Sequence, residues 1–501
     1  MQYKSYTLDK FQIDAIHSIE SNHSVVVSAA TGTGKTLIAD YTIDKYVRLG
    51  KRIIYTAPIK ALSNQKYKDF KNEFGQETVG IMTGDVVVNP EAQVLVMTTE
   101  IYRNMLVTQD PGIEKVSYVV FDEIHFINDI ERGTVWEESI IFSPPHVRFL
   151  CLSATIPNAR EFADWIQSIK KHTVDVVKYG KRAVPLLHFL YDRELGITKA
   201  EALQRALQSA PRPRPRGARG RSRFEKTECP QHYDLIADIE DKLPAIFFSF
   251  SRRDCEKKAK DLVMRYNFAN SQDKAEIFRV FSSTVPSELR NMHSVQLMKR
   301  FAQKGIAYHH AGLLPVLKDA VETLFSKGLI KVLYTTETFA VGVNYPAKTV
   351  CFVSLRKFDG ISFRYLNSKE YFQLAGRAGR RGIDDVGYVV VMVDRNDFDL
   401  MQVIRVTAAD VERITSQFRL SFNSVLNMVN NHNEAEIETI LKSNFDYYLR
   451  SKLNRKIRIM ASYRNKRRQL ESFGYIKGNA LTEKGLFATK IYAYELSLIH
   501  I

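Results

Sequence analysis

The sequence predicts an α/β protein in which two tandem parallel-sheet domains are followed by a helical and winged-helix domain. Short, near-continuous apolar runs alternate with amphipathic helical segments in two successive sets, which is typical of parallel, doubly wound sheets. The first set of candidate strands comprises 25–28, 52–57, 94–98, 118–121 and 149–153. The second set comprises 245–250, 307–309, 331–335, 349–354 and 388–393. The pattern turns helical afterwards, so we place the domains at 1–178, 179–398 and 399–501.

A basic segment at about 205–228 interrupts the second domain. Its centre, residues 210–223, contains only Arg, Pro, Gly, Ala and Ser. Such a composition cannot build a core, so we predict a disordered, cationic insertion. It serves either as a solvated linker or as an arm that binds nucleic acid.

The end of the chain carries the local signals of a small winged-helix unit. A helix is predicted to end at Phe473-Gly474, a short strand follows at 475–476, and a turn occupies 477–479. Thr482 is placed to cap the next helix. Residues 450–468 are rich in Lys and Arg. One face of this helix either meets phosphates or is merely solvated.

The charge of the chain indicates a polyanionic partner, and its cysteines indicate a reducing compartment. There are 72 Lys and Arg against 56 Asp and Glu, which gives a net charge of +16 and a pI of about 9.4. Cys151, Cys229, Cys255 and Cys351 form no CxxC pair, so no zinc or disulfide framework is expected. The N-terminus has no apolar signal-peptide core, and no apolar run is long enough to span a membrane. We expect an intracellular, cytoplasmic protein, or a nuclear one in a eukaryote.

Residues 25–36 have the order of a nucleotide-binding P-loop. An apolar strand ends in a Gly-rich turn, and Thr36 opens a periodic helical segment. Backbone N–H groups of such a turn bind a polyphosphate. Lys35 would reach the β- and γ-phosphates, and the Thr36 hydroxyl would help to hold magnesium. The loop itself comprises Ala29, Ala30, Thr31, Gly32, Thr33 and Gly34.

Two adjacent carboxylates follow the candidate strand 118–121, at the carboxyl end where ligands bind in parallel sheets. Asp122 is predicted to bind magnesium as a Walker-B acid. Glu123 is predicted to polarise the water that attacks the γ-phosphate. A strand that ends in Asp-Glu is often only a helix cap, but its pairing with the P-loop favours an ATP site.

The second domain carries a Gly- and Arg-rich motif at 373–382. Arg377 and Arg380 lie three residues apart and so share one face of a helix or turn. Arginine is suited to stabilising charge on a transferring phosphoryl group. With Gln373, these arginines are predicted to complete the ATP site when two lobes close. The simpler alternative is a surface patch that contacts a phosphate backbone.

Together these motifs resemble the superfamily-two DExH helicases and, within them, the superkiller-like group that includes exosome-associated RNA helicases. The resemblance covers nearly the whole chain and implies two RecA-like domains. The further matching stretches are 56–65, 83–85, 98–100, 131–133, 136–138, 153–158, 248–252, 309–315 and 335–344.

The resemblance implies roles for further residues. Tyr6 would stack on adenine and Gln12 would hydrogen-bond to it, although the family usually has Phe at the first position. Gly342 and Asn344 would also contact ATP. Ser153 and Thr155, with His125, would couple the ATP state to domain closure. The residues expected to grip the nucleic-acid backbone are Thr56, Pro58, Lys60, Thr98 and Thr99 in the first domain and His310, Thr335 and Thr336 in the second.

A hairpin is predicted between the last two motifs of the second domain. Alternating runs at 350–355 and 361–366 flank a turn with Asp-Gly, a hairpin signal. Its position resembles the strand-separating hairpin of the group, with Phe358, Asp359 and Gly360 at the tip. The alternative is an ordinary edge hairpin.

The resemblance implies an ATP-dependent 3′-to-5′ helicase or translocase acting on single-stranded RNA, with ATP and magnesium as cofactors. The family fold continues into a helical ratchet domain, whereas this sequence stops at 498–501. We therefore expect a truncated or minimal form, or a second chain that supplies the ratchet, and an RNA-degradation complex as a candidate partner. The alternatives are a related DNA repair helicase and an ATP-dependent clamp that does not unwind processively.

Overall fold

The fold was analysed in a computed structural model, which describes residues 1–209, 229–342, 345–408, 413–453 and 459–489. These residues form two compact units. Unit 1 contains the described residues within 1–30, 34–180 and 412–501, and unit 2 contains those within 31–33 and 181–411. The predicted insertion at 210–228, Asn344 and the chain end at 498–501 lie outside the described residues.

Unit 1 is built on an eight-stranded sheet in the order β10-β3-β9-β8-β4-β7-β5-β6, in which only the β5–β6 pair is antiparallel. All six residues of β3 are buried, because helices cover both faces of a parallel sheet. The strands are β1 Gln2–Tyr3, β2 Tyr6–Thr7, β3 Ser24–Ala29, β4 Arg52–Ala57, β5 Val79–Met82, β6 Val87–Val88, β7 Val94–Thr98, β8 Val116–Phe121, β9 Arg148–Ser153 and β10 Val174–Tyr179.

The helices of unit 1 pack apolar stripes on this sheet. In α6, the buried residues Ala159, Phe162, Ala163 and Ile166 recur at helical spacing. The helices are α1 Lys10–Glu20, α2 Thr36–Arg48, α3 Lys60–Phe74, α4 Thr99–Val107, α5 Thr134–Phe142 and α6 Ala159–Lys170, with 3₁₀ turns at Pro111–Lys115 and Ile124–Asn128.

Unit 2 contains a seven-stranded sheet in the order β12-β11-β19-β16-β13-β15-β14, in which only the β11–β12 pair is antiparallel. A separate two-stranded hairpin is formed by β17 and β18. The strands are β11 Leu186–Asp192, β12 Gly196–Thr198, β13 Ala245–Phe248, β14 Ile306–His309, β15 Val332–Thr335, β16 Thr349–Phe352, β17 Arg356–Phe358, β18 Phe363–Tyr365 and β19 Gly387–Met392.

Helices cover the unit 2 sheet and bury its largely aliphatic core. They are α7 Ala200–Ser209, α8 His232–Asp238, α9 Arg252–Val263, α10 Ser271–Thr284, α11 His293–Ala302, α12 Pro315–Ser326, α13 Glu337–Gly342, α14 Ser368–Ala375 and α15 Leu400–Thr407, with 3₁₀ turns at Glu240–Lys242 and Ser287–Leu289. The predicted class, two tandem parallel sheets with flanking helices, is confirmed.

The C-terminal segment packs on the first sheet domain within unit 1. The ring of Phe445 lies 5.7 Å from that of Phe162 and 5.2 Å from that of Trp165. The Trp165 indole also donates to the carbonyl of Ser443 at 2.7 Å. The elements are α16 Phe422–Asn431, α17 Glu434–Lys442, α18 Phe445–Lys452, α19 Ile459–Ser472, β20 Ile476–Lys477, β21 Ala480–Leu481 and α20 Glu483–Ala488. The Thr482 hydroxyl accepts from Gly485 N, as the cap prediction requires.

Two predictions differ from the structure. Residues 399–501 do not form a compact unit of their own, because α15 belongs to unit 2 and the buried aromatic contacts of Phe445 join the later helices to unit 1. The first arm of the hairpin is Arg356–Phe358 and not 350–355, because Val350–Phe352 pair with β13 and β19 in the parallel sheet.

Among the described residues, no helix combines the length and apolarity needed to cross a bilayer.

Candidate ATP and nucleic-acid sites

The P-loop joins β3 to α2, as predicted. Gly32 and Gly34 have φ values of 80° and 85°, which only glycine adopts without strain. Lys35 precedes the first residue of α2, and its ammonium donates to the carbonyls of Ala29 at 2.7 Å and Ala30 at 3.2 Å. Thr36 is the first residue of the helix. The loop therefore has the backbone turns and the helix N-terminus that phosphate binding requires.

Gln12 links the N-terminal helix to this loop. Its Nε2 donates to the carbonyl of Gly34 at 2.9 Å, and its Oε1 accepts from Asp9 N at 2.9 Å. The side chain is buried, whereas Tyr6 is 57% exposed. Tyr6 thus presents a ring to solvent, and the Gln12 amide supports the P-loop backbone. The adenine contact inferred for Gln12 remains a prediction.

Asp122 follows β8 and is fixed from two sides. Its Oδ1 accepts from Glu123 N at 3.0 Å, and its Oδ2 accepts from the hydroxyl of Tyr55 on the neighbouring strand β4. Burial and the charge of Asp122 raise the pKa of Tyr55 well above its usual value, so the hydroxyl keeps its proton and acts as a donor. Tyr55 therefore belongs to the candidate site, although it lies outside the sequence motifs and was not predicted.

Glu123, His125 and Ser153 are brought together at the ends of β8 and β9. The His125 Nδ1 lies 3.3 Å from Oε2 of Glu123 and 3.4 Å from Oγ of Ser153. Glu123 itself has a φ of 52°, in the left-handed region. This contact chain joins the predicted catalytic carboxylate to two of the predicted coupling residues. Thr155 lies half-buried in the loop after β9.

The predicted nucleic-acid residues of unit 1 are mostly buried. The Thr56 hydroxyl donates to the carbonyl of Val120 at 3.1 Å inside the sheet. Thr98, Thr99 and Pro58 are also buried. The side chains of these residues are thus unavailable to a strand on the surface, since each completes the packing at the end of β4 or β7. Any contact from Thr98 and Thr99 must therefore come from the backbone at the start of α4, and the roles of Thr56 and Pro58 remain predictions.

Two charged residues shape the same end of the sheet. Lys60 is exposed, and its Nζ lies 2.6 Å from Oδ2 of Asp85. Arg132 donates to the carboxylate of Glu100 and to the carbonyl of Pro58. Arg132 therefore ties the loop after β4 to the first turn of α4. Arg132 lies in the matching stretch 131–133, but no role for it was predicted from the sequence.

The predicted nucleic-acid residues of unit 2 lie at the carboxyl ends of β14 and β15. His310 Nδ1 accepts from Gly312 N at 3.2 Å, so Nε2 carries the proton toward Glu256 Oε1 at 2.9 Å. Burial lowers the pKa of His310. The Thr335 hydroxyl is buried and donates to the carbonyl of His309 at 2.8 Å, whereas Thr336 is half-buried. The Thr335 side chain therefore stabilises the end of the sheet, and the nucleic-acid contact inferred for this residue remains a prediction.

The arginine motif follows α14, and its arginines lie in turns rather than on the helix. Gln373 is half-buried in α14. The Arg380 guanidinium binds both oxygens of Asp384, at 2.7 and 2.8 Å, and this bidentate geometry fixes its orientation. A Cβ at Gly379, where φ is 84°, would lie 2.5 Å from Val184. A side chain at position 379 would therefore clash with Val184, so this turn requires glycine.

The hairpin β17–β18 carries exposed apolar side chains. The rings of Phe358 and Phe363 lie 5.4 Å apart, and the two side chains are 56% and 66% exposed. The carboxylate of Asp359 accepts from the backbone N–H groups of Ile361 and Ser362, both at 2.9 Å. A groove of about 720 Å³ lies between these rings and the loop 249–251 of the motif at 248–252.

The donor set fits a magnesium ion held mainly by phosphate oxygens. Asp122 is an oriented carboxylate, and Thr36 offers a hydroxyl at the start of α2. Mg²⁺ in nucleotide enzymes is commonly bound by one or two protein oxygens plus substrate phosphates. Within the described ranges, no cluster of three or more His, Cys, Asp or Glu side chains is placed to hold a metal. Gly342 is the last residue of α13, and Asn344 lies outside the described residues.

Comparison with known proteins matches both sheet domains. The DEAD/DEAH box helicase family matches residues 9–162, and the helicase conserved C-terminal domain matches residues 256–382. The chain is 42% identical over 446 residues to the exosome RNA helicase MTR4 of Homo sapiens, covering 85% of this chain and 42% of that protein.

Two further relatives agree. The superkiller complex protein 2 of Homo sapiens is 40% identical over 468 residues, which cover 88% of this chain and 37% of that protein. The DExH-box ATP-dependent RNA helicase DExH9 of Arabidopsis thaliana is 39% identical over 464 residues, or 88% of this chain and 46% of that protein. The chain thus spans less than half the length of these relatives. With two RecA-like domains and the motifs in order, the chain belongs to the superkiller-like group of DExH-box helicases.

Proposed function

We propose that this chain forms the motor core of an ATP-dependent RNA helicase that moves 3′ to 5′ on single-stranded RNA and unwinds duplexes. The observation that carries the proposal is the arrangement at the P-loop end of the unit 1 sheet. There a glycine-rich loop, a fixed Asp122 and the Glu123–His125–Ser153 contact chain occupy the carboxyl ends of adjacent strands.

The residues of unit 1 divide the work on ATP. Lys35 exchanges its carbonyl partners for the β- and γ-phosphates, and the loop N–H groups bind the remaining phosphate oxygens. Glu123 orients the attacking water and accepts its proton. Asp122 and Thr36 would hold magnesium, which would neutralise charge on the phosphates. Tyr6 covers the adenine.

The residues of unit 2 act on the transferring phosphoryl group. Arg377 and Arg380 stabilise the charge that develops on it, with Arg380 steered by Asp384, and Gln373 assists them. Gly342 and Asn344 contribute to the same nucleotide site. His125, Ser153 and Thr155 couple ATP binding and hydrolysis to the conformation of the residues that bind nucleic acid.

The nucleic-acid grip is proposed to be sequence-independent. Lys60 and Thr336 contribute side chains, and the backbone at Thr98–Thr99 and at the buried His310 contributes N–H groups to phosphate oxygens. Such contacts make binding fall steeply with salt. The names of the relatives favour RNA as the substrate and an RNA-degradation complex as the partner. A protein with this substrate and this partner would act inside the cell.

ATPase stimulation tests the proposal. Turnover of the purified chain should rise with single-stranded RNA and less with DNA of the same sequence. Glu123→Gln should lower the stimulated kcat by at least about 100-fold, because it removes the proton acceptor. Glu161→Gln changes a half-buried carboxylate of the same unit, paired with Arg413, and serves as the matched control.

The outcomes separate the alternatives. Stronger stimulation by DNA would assign a DNA helicase. ATP-dependent RNA retention without strand displacement from a tailed duplex would assign a clamp. Unchanged turnover in Glu123→Gln would overturn the motor assignment altogether.

A further inference from the structure

An ionic cluster at the base of the β17–β18 hairpin joins it to two helices of unit 2. Lys357 of β17 and Arg364 of β18 are direct cross-strand partners. Two like charges in this position are destabilising unless a carboxylate lies between them. Glu370 of α14 supplies it, with Oε1 at 2.8 Å from Lys357 Nζ and 2.7 Å from Arg364 NH2.

Lys357 also reaches a second helix. Its ammonium donates to Oε2 of Glu337, the first residue of α13, at 2.7 Å. Only 13% of the Lys357 side chain is exposed. Burial would raise the pKa of Glu370, but hydrogen bonds from Arg364 and Lys357 lower it to about 2, so its charge is retained throughout the physiological range. Lys357 and Glu370, at the centre of the cluster, are thus an ion pair largely shielded from solvent, whereas Glu337 and Arg364 lie at its more exposed edge.

The two helices are those expected to respond to ATP and RNA. Helix α13 directly follows Thr335 and Thr336 and leads to Gly342. In α14, Glu370 lies one turn before Gln373, and the helix ends just before Arg377. Among the described residues, Lys357 is therefore the one side chain of β17 that forms ion pairs with both α13 and α14.

The opposite end of the hairpin has a different character. Phe358 and Phe363 present exposed rings, and Ile361 at the turn is 92% exposed. The exposed apolar side chains at the tip are suited to inserting between stacked nucleotide bases. The ion pairs at the other end of the hairpin fix the position of the tip. Small displacements of α13 or α14 would be carried to the tip through Lys357.

We propose that Lys357 is a positioning residue that couples the movements of α13 and α14 to the hairpin, so that strand separation follows the ATP cycle. This inference rests on the proposed helicase function and deepens it. Among the described residues, the ion-pair partners of Lys357 are Glu337 and Glu370, and neither is a residue assigned to ATP. Arg364 still binds both oxygens of Glu370 when Lys357 is replaced, so the start of α14 keeps its cap.

The first test compares ATP turnover with strand separation in the full chain. Lys357→Met should leave RNA-stimulated kcat within about twofold. It should lower the unwinding rate of a duplex with a 3′ tail about tenfold, so that more ATP is consumed per base pair. Lys357→Arg, which keeps both ion pairs, should restore unwinding. Lys327→Met removes the exposed pair with Glu276 in the same unit and is the matched control.

The second test does not depend on unwinding. Hydrogen exchange of peptides covering 356–365 is measured with and without a non-hydrolysable ATP analogue and single-stranded RNA. The wild-type chain should show a nucleotide-dependent change in these peptides, and Lys357→Met should lose it while peptides over 29–36 remain protected. The double charge swap of Lys357→Glu with Glu337→Lys should recover part of the response.

The outcomes distinguish this inference from the proposed function. Parallel loss of turnover and unwinding in Lys357→Met, or an unchanged hairpin response, overturns the coupling role while the ATPase stands. If the wild-type P-loop peptides gain no protection from the analogue, the proposed function fails and the coupling role fails with it.

Discussion

The hydroxyl of Tyr55 on β4 donates a hydrogen bond to the carboxylate of Asp122, which directly follows the neighbouring parallel strand β8. The ring of Tyr55 is completely buried and lies 5.2 Å from that of Phe70. The hydroxyl therefore has a fixed position, and it leaves Asp122 only a small range of orientations. A carboxylate so restrained is preorganised for a metal and its water shell.

Tyr55→Phe should lower the ATPase kcat by about 10- to 100-fold and raise the magnesium concentration needed for half-maximal rate, because Asp122 loses its fixed orientation. A magnesium titration of RNA-stimulated turnover measures both effects. Tyr118→Phe is the matched control: this buried tyrosine on the next strand donates to the carbonyl of His23 and should cost only about 1 kcal/mol of stability. Equal turnover in the two variants would contradict the role of Tyr55.

Arg132→Gln should weaken single-stranded RNA binding about tenfold without changing the KM for ATP. The change removes charge-assisted hydrogen bonds to Glu100 and Pro58 that hold the two nucleic-acid segments of unit 1 together. Fluorescence anisotropy of a labelled oligonucleotide measures the affinity. Arg148→Gln removes an arginine bonded to the carbonyls of Asn22 and Pro145 at the opposite end of the sheet, and it should not alter RNA affinity.

Asp384→Asn should lower the ATPase kcat by up to about 100-fold and leave ATP binding intact. The Arg380 guanidinium loses its bidentate partner and is therefore no longer held in a fixed orientation. Arg380→Ala should cost more, about 1,000-fold. The control is Asp192→Asn, which breaks a second bidentate Arg–Asp pair of unit 2 with Arg395. That change should reduce thermal stability and spare turnover. A comparable loss of kcat in both Asp→Asn variants would show that the effect is only structural.

The carboxyl of Glu137 should make stability depend on pH. Burial raises its pKa to about 7, although Ser416 Oγ and Phe445 N both donate to it. Because the folded pKa lies above the unfolded value, the folded state binds the proton more tightly. Stability is thus highest below the unfolded pKa and falls by about 3 kcal/mol as pH rises from 4.5 to 7.

Urea unfolding at a series of pH values measures this slope. Glu137→Gln should flatten the dependence of the unfolding free energy on pH between 4.5 and 7, even if the substitution also changes that free energy by the same amount at every pH. Ser416→Ala should steepen it, because it removes a donor that stabilises the ionised carboxylate. A slope that is the same in all three proteins would rule out Glu137 as its source.

The apolar runs predicted inner strands of each sheet, such as β3 and β13, and also the edge strand β14, because all residues of these strands are buried. The strands β5, β10 and β11 escaped prediction for local reasons. Strand β5 contains Gly80, where a Cβ would lie 2.0 Å from Asn89 O, and β10 is a half-exposed edge strand. Glycine and mixed polarity both obscure a strand pattern.

The P-loop, Asp122 and Glu123 could be predicted because each motif is continuous in sequence. The partners of these residues could not, since they depend on strand order and distant packing. Tyr55 reaches Asp122 only because β4 lies beside β8, and Glu137 meets Phe445 across 308 positions of the chain. The burial of Thr56 and Thr335 also depends on their neighbours, because a short hydroxyl side chain suits a surface and a sheet interior equally.

The left-handed backbone of Glu123 has a consequence for how this enzyme could be stabilised. A non-glycine residue in that conformation costs roughly 1 kcal/mol or more, and glycine or asparagine would relieve it. A screen for heat resistance alone should therefore enrich inactive chains with Gly or Asn at position 123. At position 123, the side chain needed for activity and the residue types that best tolerate the left-handed backbone are therefore different.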